Sequence, residues 1–326
     1  MIEKAYTHAT GLQKVHFVEE FYGNEFALFK ATQSRKLADI LEEQPEKREQ
    51  ILKNIMEVVN TLLTKGLIYL SISHHVLNEF YENGTPELIR EMTGLLAPEL
   101  VHTVRTRYGA QVAAKCAGYA SAKERKAIIK SLKGNILPIA QEPHGHMLIV
   151  KLLAVTDDTV LLTKAILREL LDGAEELVND GNGRLPFLLI LAPEQNLTRY
   201  FAPPSMELLT PQQVLDSSNE LVPASKKDFP TRQQELLQAL SEDLLAYCAK
   251  HVQSTISDKF GFAVLLEALL NAPQGDKSAV VAEILRLMKR PADEEDHVMS
   301  NPIASRLIKT LVANDFSYTQ DGKGMY

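Results

Sequence analysis

The 326-residue sequence has no tryptophan, only two cysteines and 6% aromatic residues. Its apolar fraction, 45%, is therefore made mostly of Leu, Ala, Ile and Val, a composition suited to helix-on-helix packing. Cys116 and Cys248 are too few for a disulfide framework or a zinc cage, and point to a reducing compartment, cytosol or nucleus. No run approaches the roughly 18 to 20 apolar residues of a membrane helix, and Met1 to Lys4 hold no apolar stretch of a signal peptide. Strand-like alternation is absent throughout. Positive charge is also short: 35 Lys and Arg face 42 Asp and Glu, a formal charge of −7. That balance speaks against a nucleic-acid partner unless the cations are gathered locally.

What is present is a repeat. Counting from Gly109, offsets +3, +4, +7 and +8 are Val112, Ala113, Cys116 and Ala117. Gly145 gives Leu148, Ile149, Leu152 and Leu153; Gly183 gives Pro186, Phe187, Ile190 and Leu191; Gly261 gives Val264, Leu265, Ala268 and Leu269. Ser73 gives Val76, Leu77, Phe80 and Tyr81, and Ala304 gives Leu307, Ile308, Leu311 and Val312. Gly23 starts a weaker copy with Phe26 and Ala27, but +7 is Lys30. Such spacing is one stripe of an α-helix that begins near its anchor, and Pro186 suits a first turn. The first three intervals are 36, 36 and 38 residues, and the step from Gly183 to Gly261 is 78, which leaves room for one degenerate unit between. A helical period near 36 means a solenoid.

Other signals fill the gaps. Ser121 with Glu124 forms a capping box for a helix to about Leu132, and Thr85-Pro86 reads as an N-cap with proline at the first helical position. Residues 46–64 and 231–252 are long helical stretches. Six prolines break 193–230, expected to be loop and short helix. Asp293 to Asp296 read as a solvated acidic loop, and Gln320 to Tyr326 as a frayed end.

Three stretches carry a resemblance. They are Tyr22-Gly23-Asn24-Glu25-Phe26 with Gln44-Pro45-Glu46-Lys47; Arg107 to Cys116 (RYGAQVAAKC) with Ala122-Lys123-Glu124-Arg125-Lys126; and Val155-Thr156-Asp157-Asp158-Thr159. The chain resembles the Puf-A (Penguin-type) branch of Pumilio-domain proteins over nearly its whole length. The resemblance implies an all-α, right-handed α-solenoid superhelix of three-helix, armadillo-like Pumilio repeats. On this reading 1–150 are Pumilio repeats opening inside a repeat, with further repeats and a basic segment ahead of Met1. Residues 151–290 are the CPL region, interrupted at 193–230, and 291–326 a terminal repeat and tail. It further implies a nuclear, nucleolar protein of ribosome assembly, with RNA or DNA and pre-ribosomal proteins as partners, acting as a monomer off the membrane.

Sequence-reading Pumilio repeats read one base with two or three side chains of one helix, at anchor +1, +2 and +5 in this register. Here those triplets are Ala110, Gln111, Ala114; His146, Met147, Val150; Arg184, Leu185, Leu188; and Phe262, Ala263, Leu266. The +5 residue is apolar in all four and reads no base edge. Only His74, His75 and Asn78 form a polar triplet. Nucleic acid is then gripped by charge and shape. The candidate contacts are Arg105, Arg107, Gln111, Lys115, His146, Lys151, Arg184, Arg306 and Lys309, supported by Lys123, Arg125, Lys126, Lys130 and Lys133. Residues 102–135 hold eight of the chain's cations against one acid, Glu124.

Other motifs read blandly. Asn179 to Gly183 lacks the lysine and preceding strand of a phosphate loop and is a helix-start turn. His74-His75 have no ligand-spaced partners for a metal. Cys116 and Cys248 suit buried small hydrophobes. No catalytic constellation and no cofactor is expected. The competing expectation is a protein-interaction scaffold whose apolar +5 residues dock an assembly partner.

Overall fold

The computed structural model describes residues 2–23, 35–216, 218, 220–291 and 297–320. The weaker repeat copy at Phe26, Ala27 and Lys30, the acidic run Asp293 to Asp296 and the tail beyond Gln320 lie outside them. Two compact units divide the chain. One holds 1–132 and 208–226, the other 133–207 and 227–326. No described helix is long and apolar enough to cross a membrane.

Every anchored stripe among the described residues is a helix, and within each unit such a helix packs on the next. In the first unit Ser71–Asn83 lies against Arg107–Tyr119. In the second, His146–Val155 packs on Leu185–Leu191, that on Gly261–Asn271, and that on Pro302–Gln320. This neighbour-on-neighbour order is all-α solenoid packing. The stripe residues from Val76 to Leu269 are core. The copy at Ala304 buries Leu307 and Leu311, but Val312 is 70% exposed, where no later helix covers it among the described residues.

Glycine at an anchor answers a close approach. A Cβ on Gly109 would sit 1.9 Å from the Thr103 carbonyl oxygen and 2.8 Å from His74 Nδ1; on Gly261 it would sit 1.9 Å from Asn179 Oδ1. The Gly109 helix begins two residues earlier than its anchor, because Thr106 is its N-cap and accepts from the Gly109 N–H at 3.0 Å. The Thr106 hydroxyl also meets His74 Nδ1 at 2.7 Å. Burial pushes the His74 imidazole down to about 4. The expected capping box exists: Ser121 N–H donates to Glu124 at 2.6 Å and Glu124 N–H to Ser121 Oγ at 3.4 Å. Thr85 caps Pro86–Leu96 through Leu88 N–H.

Among the described residues between Gly183 and Gly261 there is no extra stripe helix. Leu185–Leu191 packs directly on Gly261–Asn271, and the intervening chain makes two short helices, Glu194–Arg199 and Pro203–Leu209, a hairpin and one long helix, Phe229–Ile256, kinked at His251. The hairpin corrects the expectation of loop and short helix alone. Gln213–Leu215 pairs antiparallel with Leu221–Pro223. Asp216 closes it by accepting from Ser218 N–H, Ser218 Oγ–H and Glu220 N–H. Strands of three residues are too short for alternation to show in sequence.

Two fully buried arginines terminate stripe helices. Arg125 donates to the carbonyls of Ala117 (3.0 Å), Gly118 (3.1 Å) and Ala224 (3.0 Å), closing Arg107–Tyr119 and tying the end of the hairpin excursion into the first unit. Arg232 donates to Thr156 (2.9 Å), Ala154 and Lys227 (2.6 Å) carbonyls and to Asp157 Oδ1 (3.1 Å), closing His146–Val155 in the second unit.

Arg125→Met leaves two buried carbonyls and one half-buried carbonyl without this donor. Unsatisfied groups of this kind cost about 1–3 kcal/mol each, so urea denaturation should show a loss of about 3 kcal/mol or more. Arg125→Lys, lacking the planar fork, should recover little of it. His74 sets a pH trend. Its charged form is disfavoured in the fold, so the unfolded chain takes the proton first. Stability should be full above about pH 6.5 and fall as pH drops toward about 4. His74→Gln should flatten that decline in denaturation midpoints measured at stepped pH.

Candidate nucleic-acid interface

The residues of the base-reading row are mostly not at the surface. Ala114, Val150 and Leu188 have no exposure, and Ala110, Met147, Leu185 and Ala263 are buried. Every residue of His146–Val155 and of Leu185–Leu191 is buried. These two helices offer a ligand nothing, and their apolar +5 residues cannot be docking positions. Leu266 alone of the four is half-exposed.

The polar triplet is consumed internally. His75 accepts or shares a proton with the Tyr6 hydroxyl at 2.7 Å, approaches Glu79 at 3.5 Å and stacks on Tyr108 at 4.3 Å with rings 3° from parallel. Glu79 also accepts from Tyr22 Oη–H (2.5 Å) and Leu37 N–H (2.9 Å). Burial pushes its carboxyl up, but these hydrogen bonds outweigh it and hold the group below the usual carboxylate range. Across the helix pair, His75, Asn78 and Glu82 face Tyr108, Gln111 and Lys115, each set spaced i, i+3, i+7. Lys115 Nζ reaches Asn78 Oδ1 at 3.1 Å and Glu82 Oε1 at 3.0 Å. The two rows are zipped to one another, and the Lys115 charge is already met.

The nominated cations therefore separate. Arg105 and Arg107 are exposed and, among the described residues, have no carboxylate partner; Gln111 is half-buried. Lys123, Lys126 and Lys130 form an exposed stripe on Ala122–Leu132, opposite the buried Arg125, Ile128, Ile129 and Leu132. Lys133, exposed, opens the second unit. Arg125 is not part of any basic surface: it is 2% exposed, its guanidinium spent on carbonyls. Lys151 is wholly buried and likewise leaves the candidate list. His146 is 8% exposed, meets the Glu142 carbonyl at 3.1 Å, and is pushed down by burial, so it offers phosphate no charge near neutrality.

In the second unit Arg184 lies over the Phe260 ring at 4.7 Å, with Lys259 on the same ring at 4.5 Å. Arg306 and Lys309 are exposed on Pro302–Gln320. Tyr108 and Phe260 were missed in sequence. Tyr108 is 38% exposed beside Arg107, and its position just before an anchor glycine was its only signal. Asp180 accepts from the Asn182 and Gly183 N–H groups, which makes Asn179 to Gly183 a helix-start turn. Cys116 and Cys248 are buried free thiols, both pushed up to about 12 by desolvation. Among the described residues no three metal-ligating side chains gather.

Comparison with known proteins gives this geometry its relatives. Residues 179–323 match the CPL (NUC119) domain. The chain is 32% identical to Pumilio homology domain family member 6 of Schizosaccharomyces pombe over 96% of its own length and 48% of that protein. It is 29% identical to Pumilio homolog 3 of Homo sapiens, covering 99% and 49%. The chain thus spans about half the length of the curated relatives it matches. The crystal structure of human Puf-A in complex with DNA superposes with a TM-score of 0.86 at 27% identity, covering 99% of this chain and 62% of that one. In sequence and in fold alike, the chain is similar to the Puf-A type of Pumilio-domain proteins, and residues 179–323 match the CPL domain.

Proposed function

We propose that this protein binds RNA or DNA through its backbone and shape, without a base code, and that it does so in nucleolar ribosome assembly. The observation that carries the reading is the pairing of buried +5 residues with exposed Arg105 and Arg107, which have no carboxylate partner among the described residues, next to the Tyr108–His75 ring stack. Cations without a carboxylate release counterions from phosphates, and an exposed aromatic edge stacks any base. The lysine stripe of Ala122–Leu132 adds sequence-blind charge. That human Puf-A was solved with DNA agrees with this use of the fold. Nuclear and nucleolar residence, and pre-ribosomal protein partners, follow from the family resemblance and are part of the proposal. A scaffold docking through apolar +5 residues loses its basis, since three of the four are buried.

Binding to single- and double-stranded RNA and DNA should weaken linearly on a log–log salt plot and differ little among sequences. Arg105→Glu with Arg107→Glu should cost about tenfold or more in affinity at moderate salt, alike for all sequences, as expected of phosphate contacts. Lys115→Met, whose charge is already paired, should change affinity less than about threefold. Fluorescence anisotropy titrations read all three, and a preference for one short motif that persists at high salt would refute the reading. Imaging of the tagged chain and its co-sedimentation with pre-ribosomal particles check the nucleolar part.

A further inference from the structure

A cavity of about 700 Å³ opens in the second unit between the end of Phe229–Ile256 and the start of Pro302–Gln320. Its size is that of a small-molecule site. Lys250, His251, His297, Ser300 and Asn301 are in its wall, and no carboxylate side chain is among the described lining residues.

The hydrogen-bonding capacity of this wall is one-sided. Three of its side-chain acceptors are used within the protein. Asn301 Oδ1 accepts from the Ile303 (2.9 Å) and Ala304 (3.1 Å) N–H groups, which also fixes the orientation of its amide. Gln253 Oε1 accepts from Arg290 at 3.3 Å. His297 Nδ1 accepts from Met299 N–H at 3.2 Å. The donors remain. An imidazole that accepts at Nδ1 carries its proton on Nε2, and His297 Nε2, in a side chain only 5% exposed, has no partner. A buried donor left unmet is costly unless a ligand meets it. Lys250 is exposed, with no carboxylate partner among the described residues, and the asparagine carboxamide N–H₂ and Ser300 hydroxyl complete the set. The Pro302–Gln320 helix adds the positive end of its dipole, though its Ile303 and Ala304 amides are already taken by Asn301.

Donors, a cation and a helix N-terminus around a site whose described lining residues carry no acid call for an oxyanion. We propose that this cavity binds a phosphate group. Pro302 also borders a second depression along Ser305, Arg306 and Lys309 on the same helix. A phosphate borne on a nucleic-acid strand would thus have a basic track leading away from it, whereas a free nucleotide would use the cavity alone. The strand-borne source rests on the nucleic-acid reading above; phosphate binding itself does not.

The test is isothermal titration calorimetry of the full chain with inorganic phosphate, adenosine monophosphate, and one oligonucleotide carrying either a 5′-phosphate or a 5′-hydroxyl. Inorganic phosphate and the mononucleotide should bind and compete with each other. Lys250→Met and His297→Phe should each weaken both by about tenfold, as loss of one charge-assisted or buried hydrogen bond does. Lys250→Met should leave the melting temperature unchanged, because Lys250 is exposed; His297→Phe removes the unmet Nε2 donor but also the acceptor of the Met299 N–H, so a lower melting temperature there reports that lost bond and Lys250→Met carries the test. Roughly tenfold preference for the 5′-phosphorylated strand, lost in His297→Phe, assigns the strand end. Equal affinity for both strands with mononucleotide binding retained assigns the free nucleotide. Absence of phosphate and mononucleotide binding, or binding untouched by both substitutions, overturns the proposal. Arg105→Glu with Arg107→Glu should leave inorganic phosphate binding unchanged, so this proposal and the general nucleic-acid reading fail separately.

Discussion

Carbonyl groups at the ends of stripe helices have to be satisfied in a stack that excludes water, and two guanidinium groups do it. A helix leaves its last four carbonyls without intrahelical partners. Solenoid packing buries those ends against the next helix. Arg125 and Arg232 each bring a planar fork to such an end, and each also grips chain from the excursion between repeats, at Ala224 and at Lys227. Lysine has one point charge and cannot span several carbonyls so well. The guanidiniums thus fix where two stripe helices stop and where the chain runs at Ala224 and Lys227.

The same economy of polar groups shapes the candidate interface. In Ser71–Asn83 and Arg107–Tyr119, His75, Asn78 and Glu82 bond or stack with Tyr108 and Lys115. Groups that answer one another across a helix pair are not free to answer a base. What stays open is charge at the start of the helix, on Arg105 and Arg107, and charge on the outward stripe of Ala122–Leu132. The proposed affinity without sequence preference rests on these groups.

Much of the fold was legible because a helical stripe is a period, and periods survive in sequence. The anchors at 73, 109, 145, 183, 261 and 304 all mark helices. The missing base code was legible too, since alanine, valine and leucine carry no edge-reading group. The burial of charge was not. Arg125 sits in a run of lysines and arginines, and nothing local separates it from Lys123 or Lys126; only the position of the Ala117, Gly118 and Ala224 carbonyls does. Lys151 and His146 were misplaced for the same reason: their helix is covered all round, a fact set by its neighbours. The hairpin at Gln213–Pro223 hid because three-residue strands carry no period, and the 78-residue step suggested a repeat where direct packing of Leu185–Leu191 on Gly261–Asn271 leaves none.

Complete burial of His146–Val155 and Leu185–Leu191 bears on engineering. Pumilio-type helices invite reprogramming, by writing new side chains into the seats that face the bases. Here the seats at Val150 and Leu188 open onto packed apolar neighbours, not onto a groove. An amide written there meets no nucleotide and costs about 1–3 kcal/mol for want of a partner. This scaffold resists being taught a sequence, and retuning its specificity calls for work at helix ends and outward stripes instead.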